Sequence, residues 1–395
     1  MKYLFYLLPG VLNIVTGLLF FITAKRMADA GVSSLAVTAT LPMWALTYAV
    51  SSYIIGKYTT KRNAVKILFA SQIILFFSLL GLLLTPSVKL QYLYLFGSGL
   101  GTGLFFAPFQ VVIKLFEKVE ISAETFARSA ATYTFSWSCG QGTGPFLAAV
   151  VWGAFDPVNG WKYCYIVTLA ITVFVLISLV FMQKFINRRL AENDSAAAVN
   201  TEYSEKTADT LKLPDIMKAV WVISFGGYLA LAVLRSYLPD YATKVLHFPT
   251  SSQGIMLSLI SFVQAFAALA CIKARRWQFR PYVLAFCAVL AMISLLTVSM
   301  CSGSLAAWLA AGLFGVFSGI LSFDITYHAL ANVDKSARYA SVNETIVGST
   351  SVLAPLAAGM LADSTTAQMP FYALIAALLI AAVIYCRMTW RYRKF

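Results

Sequence analysis

Twelve stretches of this 395-residue chain are apolar over lengths that approach or exceed the ~20 residues a helix needs to cross about 30 Å of hydrocarbon. They fall at about residues 3–24, 33–56, 65–84, 90–112, 128–152, 162–182, 219–240, 250–272, 281–301, 304–330, 338–362 and 369–386. With 60% hydrophobic and 12% charged residues, the chain has too little polar surface for a soluble domain. An all-α membrane protein with twelve transmembrane helices is the fold this pattern predicts.

A net charge of +14 invites comparison with nucleic-acid binders, so the position of each basic residue matters more than the total. If the first segment lies inside, 24 of the 30 Lys and Arg fall in inner segments, including Lys57, Lys61, Arg62 and Lys66 after span 2. Five (Lys25, Arg26, Lys89, Lys162 and Lys244) fall in outer loops, and Arg235 lies within a span. This positive-inside bias predicts cytoplasmic termini in a cytoplasmic (inner) membrane, and no nucleic-acid partner. The opening MKYLFYLLPGVLNIVTGLLF lacks an A-x-A cleavage site and reads as span 1. The six cysteines are scattered without a CxxC pair, so they read as small apolar packing residues. Asn343-Glu344-Thr345 is a glycosylation sequon in form only, because it sits inside a span.

Residues 184–217 form the one long polar stretch inside the chain and read as a flexible cytoplasmic linker. It separates a six-helix bundle at 1–183 from a second at 218–395. The halves echo one another. Shifting residues 127–153 by 210 aligns Ala127 and Arg128 with Ala337 and Arg338, Pro145 with Pro355, and Ala148 with Ala358, so spans 5 and 11 read as duplicated copies. A weaker echo links Gly99-Leu100 of span 4 with Gly312-Leu313 of span 10. Spans 3, 6, 9 and 12 are nearly plain hydrocarbon, whereas 1, 4, 7 and 10 carry amide and charged residues, which suits helices lining a central path.

Over essentially its whole length this layout resembles the major facilitator superfamily. Gly140-x-x-x-Gly144-Pro145-x-x-Ala148 looks like that family's antiporter motif in span 5, with Ala in place of the last Gly. After span 2, Gly56 and Lys61 fit the family's basic loop motif, while Thr60 stands where its Asp is expected and Asn63 where its second Gly is. In span 4, Gly99, Leu100, Gly101 and Gly103 fit, but Leu95 occupies the place of the family's Arg. The resemblance implies a secondary transporter working by alternating access between parallel repeats.

Charged side chains within hydrocarbon cost at least ~2.5 to 3.5 kcal/mol, so those that remain are candidates for function. Asp324 in span 10 lies one turn before Tyr327 and His328, and reads either as a proton-coupling site with His328 or as half of an interior ion pair with Arg338 or a similar neighbour. Glu344 in span 11 is the second proton-coupling candidate. The family resemblance implies instead that an acid here latches the inner gate against Lys61 and Arg62. Arg235 shares a stripe with Tyr228 and Trp221 on span 7, and either contacts an anionic substrate group or snorkels outward to Tyr237 and Asp240.

Further cavity candidates are Asn13 and Thr16 in span 1, Gln110 in span 4, and Tyr133, Trp137 and Gln141 spaced four apart in span 5. The ladder Ser136, Gly140, Gly144 and Ala148 predicts close packing of span 5 on a helix of the other half, with Pro145 and its counterpart Pro355 bending the duplicated helices. Gly56 belongs with these gating positions.

With two histidines, no HExxH and no GxxxxGK[ST] loop, the sequence predicts neither an enzyme nor an ATPase, and no cofactor or metal. The expected partners are a small-molecule substrate, protons and membrane lipid, with the chain a monomer. The span 5 motif leans the reading to proton-coupled export. Alternatives are a symporter taking up a sugar or organic anion, a lipid flippase, and a non-transporting receptor of the same fold.

Overall fold

The computed structural model describes residues 2–60, 62–114, 123–155, 158–197, 215–273, 280–332 and 335–390. Every regular element among them is helical. The long helices are α1 (Lys2–Asp29), α2 (Thr40–Tyr58), α3 (Ala64–Leu84), α4 (Gln91–Lys114), α5 (Ala123–Phe155) and α6 (Gly160–Ala197), then α7 (Met217–Ser236), α8 (Thr250–Ala270), α9 (Pro281–Met300), α10 (Ser304–Ala331), α11 (Ser336–Ser364) and α12 (Met369–Thr389). Short helical turns at Ser34–Thr38 and Leu238–Lys244 precede α2 and follow α7.

Among the described residues, nine helices are long and apolar enough to cross a membrane; α2, α4 and α5 are the long helices outside that set. The apolar cores of α1 and α7 are 72% and 67% buried, against 39% for α3, α6 and α12, so α1 and α7 stand centrally and the plain hydrocarbon helices form the rim. This is the arrangement that hydrocarbon solvent selects, because a rim helix needs only apolar side chains and self-satisfied backbone.

Two boundaries differ from the sequence reading. Helix α6 continues through Ala197, well into the stretch read as linker, because INRRLAENDSAA holds good helix formers and no Gly or Pro. Lys25 and Arg26 belong to the last turns of α1, not to a loop, and both are buried. Lys25 pairs with Asp29 one turn on. The Arg26 guanidinium donates to the carbonyls of Thr85 and Pro86 at 2.8 and 2.7 Å just past the end of α3, and lies 3.6 Å over the Trp161 ring. It satisfies acceptors that a helix end leaves without partners.

Small residues set the closest helix contacts. A Cβ on Gly10 would stand 3.0 Å from the Ser136 carbonyl oxygen, and one on Gly17 2.8 Å from that of Gln141. One on Gly144 would stand 2.6 Å from the Gly17 carbonyl carbon. The ladder Ser136, Gly140, Gly144 therefore packs on α1, within its own half. The interface with the other half uses the neighbouring face of α5: a Cβ on Gly254 of α8 would stand 2.6 Å from the Pro145 carbonyl oxygen and collide with Ala149. At the same interface Gln264 Nε2 donates to Ser138 Oγ (2.7 Å) and Ser318 Oγ donates to Gln264 Oε1 (2.6 Å), a fully buried relay from α5 through α8 to α10. The expectation of a small-residue ladder between the halves is corrected, because backbone approach to α1 consumes that stripe.

The duplication is visible in packing. Gly99 and Gly103 of α4 let α2 approach, a Cβ on Gly103 falling 2.7 Å from the Tyr48 carbonyl oxygen. In the second half Gly315 and Gly319 of α10 do the same for α8, with 2.6 Å from Gly315 to the Ile260 carbonyl oxygen. The echo thus lies at Gly315 and Gly319. Gly312 meets only Val263, at 3.8 Å.

Where the second half begins, Asp215 accepts from Tyr339 Oη (2.6 Å) and Lys335 Nζ (3.0 Å), tying the start of α7 to that of α11. Partial burial pushes the Asp215 pKa up, but these hydrogen bonds outweigh it and hold the carboxyl below its ordinary value.

A leucine at position 144 has no room beside Gly17 and Leu18, so Gly144→Leu is expected to destabilise the first half by about 2 kcal/mol or more, within or above the usual overpacking range. Its melting temperature and monodisperse yield in detergent should fall together. A well-folded Gly144→Leu protein of normal stability would contradict this packing.

Candidate functional site: a central cavity sealed on one face

The face opposite the chain termini is closed by contacts between the halves. Ser34 and Leu35 begin the short helix before α2, and both backbone N–H groups donate to the Asp363 carboxylate from α11, each at 2.9 Å. An anion on the leading N–H groups of a helix is favourable by dipole and hydrogen bonding. Ser34 Oγ also donates to Asp240 Oδ2 (2.6 Å), and Lys244 Nζ reaches both Asp240 Oδ1 (2.7 Å) and the Val32 carbonyl (2.6 Å). Gly359 completes the seal, since a Cβ there would overlap Thr38. Sequence reading missed this cluster because its residues look like ordinary loop polarity until the fold joins positions more than 200 apart.

Toward the termini the same two helices part. Tyr53, Ile54, Gly56, Lys57 and Tyr58 of α2 are all exposed, as are Ala340, Ser341 and Glu344 of α11. No atom stands within 4 Å of a Cβ built on Gly56. A cavity therefore opens on the termini face and narrows toward the seal.

One wall is aromatic. Phe20 of α1 meets Trp44 of α2 edge-on at 4.8 Å, Trp44 stacks on Tyr48 at 4.7 Å, and Tyr48 meets Phe106 of α4 at 6.3 Å. Beside it, Gln141 Nε2 donates to Thr16 Oγ1 (2.7 Å) and Asn13 Oδ1 (3.1 Å), and Asn13 Nδ2 donates to the Pro9 carbonyl (2.8 Å). The missing backbone N–H interactions near Pro9 leave carbonyls for such partners. Asn13 and Thr16 of α1 and Gln141 of α5, candidates named separately from the sequence, are thus brought together. Tyr133 is exposed and Trp137 half-buried on α5.

Arg235 extends from α7 to a narrow recess walled by Gly17 and Phe20 of α1, Gln141 of α5 and Ser261 of α8. Its Nη2 is sealed from solvent and has no hydrogen-bond partner. It does not snorkel to Tyr237 or Asp240, whose polar atoms are engaged with the Ala367 carbonyl and with Lys244 and Ser34. Tyr228, two turns below on α7, contacts Ser322 Oγ at 3.5 Å, and Trp221 Nε1 donates to Asn343 Oδ1 at 2.8 Å.

Glu344 is reached by solvent although protein surrounds it, as befits a cavity wall, and Tyr48 and Tyr228 lie within range of its charge. Its level follows from Gly348, where a Cβ would stand 3.5 Å from that of Ala49 on α2. One turn nearer the termini, Glu344 still lies roughly 8 Å short of the α2 end at Tyr58. Lys61 lies outside the described residues, and Arg62 lies beyond Tyr58 in an exposed turn. In that turn Thr60 N donates to Asn63 Oδ1 (2.7 Å) and Asn63 Nδ2 to the Tyr58 carbonyl (2.8 Å), so the two residues that depart from the loop motif brace each other. The acid faces the cavity, and the gate pairing with Lys61 and Arg62 gains no support from its depth.

Asp324 and His328 are brought together, with Oδ1 3.4 Å from Nε2, both 1% exposed. Neither Asp324 oxygen has a hydrogen-bond donor, and the side chain lies within electrostatic range of Cys271 and Tyr385, behind the cavity inside the second half. Tyr327 meets the His328 ring edge-on at 5.3 Å, with its other contacts on the α5 side. It stacks on Phe323 at 5.8 Å and packs with Ala127, Ala130 and Ala131 of α5. Of Gln110 only the backbone, within α4, is described. Pro145 and Pro355 are buried in the middle of their helices. Among the described residues no cluster of three or more His, Cys, Asp or Glu is placed to hold a metal ion.

The family model of the Major Facilitator Superfamily matches residues 5–346. The chain belongs to this superfamily. No protein of curated function matches it in sequence. Its fold is similar to that of a bacterial homolog of the human lysosomal transporter Spinster, solved in an inward-facing, occupied conformation, with TM-score 0.70, 14% identity, and coverage of 98% of this chain and 96% of that one. It is also similar to the xylose transporter XylE from E. coli in a partially occluded, inward-open conformation, with TM-score 0.67, 13% identity, and 97% and 96% coverage. This major facilitator protein is a multi-pass membrane transporter of the secondary class, and its substrate is a small molecule.

Asp363 is the seal's one carboxylate that binds two backbone donors, so Asp363→Ala should weaken closure by about 1 kcal/mol. In a cysteine-free background, Thr38→Cys should then react with an impermeant maleimide about fivefold faster than with Asp363 present. Equal rates would show that these bonds do not hold the face shut.

Proposed function

We propose that this protein moves a small organic solute across the cytoplasmic membrane by alternating access, coupled to protons, with Glu344 as the proton-carrying group. Twelve spans with both termini cytoplasmic complete this reading. The halves at 1–183 and 218–395 rock against each other about the buried α5–α8 contact, and the residues around 200 connect them.

The observation that carries the proposal is the position of Glu344. It is an acid on the wall of a one-sided cavity, and among the described residues no cation is paired to it. While the cavity is open its carboxylate is hydrated. When the halves close over it, a bare charge would cost several kcal/mol, and a proton removes that cost. Such a group links protonation to conformation because the two states differ in solvent access. Tyr48 of α2, Tyr133 of α5 and Tyr228 of α7 are titratable groups around it, and Arg235 lies deeper, in the recess toward the seal. Asp324 is the second candidate. Burial with His328 behind the cavity supports a structural pair better than a shuttling site, because no water reaches it in this conformation.

The span 5 motif no longer argues for export, since its glycines are explained by contact with α1.

Glu344→Gln mimics the protonated acid. In proteoliposomes it should abolish flux driven by a pH gradient, at least tenfold below wild type, while leaving solute exchange at equal pH within about twofold. Undiminished pH-driven flux would eliminate Glu344 as the coupling site, and loss of exchange as well would assign it to the solute.

A further inference from the structure

The cavity narrows to a recess whose only charge is a guanidinium. Arg235 reaches it from α7, and its walls come from both halves: Gly17 and Phe20 of α1, Gln141 of α5, and Ser261 of α8. Nη2 is hidden from solvent and donates to nothing. Arg235 as a whole is half-buried, but a guanidinium nitrogen sealed from water without an acceptor is expensive, and interior cations normally meet a carboxylate or backbone carbonyls. Arg26 of this same chain does so, with carbonyls and an aromatic face around it. The acids that share Arg235's end of the molecule, Asp240 and Asp363, are used in the seal.

The surrounding groups fit an oxyanion. Gln141 Nε2 is spent on Asn13 and Thr16, which fixes the amide in place. The Ser261 hydroxyl is a second donor on the recess wall, almost fully buried. Phe20 belongs both to the recess and to the aromatic row Phe20, Trp44, Tyr48, so an apolar or aromatic body has a surface on which to lie. A planar guanidinium suits bidentate binding of carboxylate or phosphate.

We infer that the transported solute carries an anionic oxygen group, a carboxylate or phosphate, which Arg235 binds at the recess while the apolar part of the solute lies along Phe20 and Trp44. Because the recess is built from both halves, a bound anion joins them and favours the occluded state. This inference rests on the transport reading above but not on Glu344. With Glu344 protonated, a bound monoanion leaves this pair of sites neutral, and the empty carrier with Glu344 ionised is neutral as well. Cotransport of one proton with one monoanion would therefore move no net charge.

The test is thermal unfolding of the purified full-length protein titrated with benzoate, methyl phosphate, the neutral isostere benzamide and the cation benzylamine. One or both anions should stabilise wild type, and benzamide and benzylamine should not. Preference between benzoate and methyl phosphate identifies the oxyanion. In Arg235→Gln the concentration for half-maximal stabilisation should rise about ten- to hundredfold, as for loss of a charged hydrogen-bonded pair. Arg235→Lys should retain part of the response.

A second readout separates this from a structural role. Without ligand, Arg235→Gln should melt at or above the wild-type temperature, because it removes a half-buried charge whose sealed nitrogen has no partner. The inference is overturned if neither anion stabilises wild type, if benzamide matches benzoate, if Arg235→Gln keeps the anion response, or if its ligand-free form melts lower. Glu344→Gln should keep the anion response, so failure of proton coupling and failure of anion binding are told apart.

Discussion

Burying a charge among apolar helices is the cost around which this molecule is arranged. Where a cation or acid is purely structural, the fold provides acceptors or a partner one turn away, as with Arg26 at the α3 carbonyls, Lys25 beside Asp29, and Lys244 beside Asp240. Arg235 and Glu344 break that pattern. Both face the space between the halves, one near the seal and one in the open vestibule. Uncompensated charge is tolerable there only if water or a ligand enters, which is why these two side chains are the ones proposed to meet proton and solute.

The conformational machinery follows from how the halves touch. On the α5–α8 side, contact is continuous and includes the buried Ser138, Gln264 and Ser318 relay, a polar network with every member satisfied. Such a contact can act as a fulcrum without breaking, because its hydrogen bonds lie close to the axis of any rocking motion. On the α2–α11 side, contact includes Ala49 against Gly348 midway along α2, and at the sealed face the short helix before α2 adds exposed, charge-assisted hydrogen bonds to Asp363. Bonds of that kind exchange with water at small net cost, which suits a seal that must open in every cycle.

Hydropathy was enough to read an all-helical membrane protein, and with the span 5 and loop motifs the superfamily, because hydrocarbon imposes period, length and exclusion of charge on each segment separately. The polar face of α1 with Asn13 and Thr16 was legible too, since polar residues recur there at helical spacing, but its meeting with Gln141 of α5 was not. What the sequence did not disclose was orientation around each helix axis. Ser136, Gly140 and Gly144 form a small-residue stripe whichever helix they meet, and only the fold shows that helix to be α1. Depth was equally hidden for Glu344, whose level depends on the register of α11 against α2. Asp324 and His328 share a helix face as their spacing required, yet the face looks into the second half instead of the cavity.

In the proposed alternating-access cycle, the α2 and α11 ends move in opposite senses while the α5–α8 contact holds. Spin labels at Ser33 and Ser364 report the sealed face, and labels at Lys57 and Ser341 the open one. As pH and solute are varied in nanodiscs, the first distance should lengthen by several ångströms in the same population in which the second shortens. Two distances that stay fixed, or that lengthen together, would contradict the account.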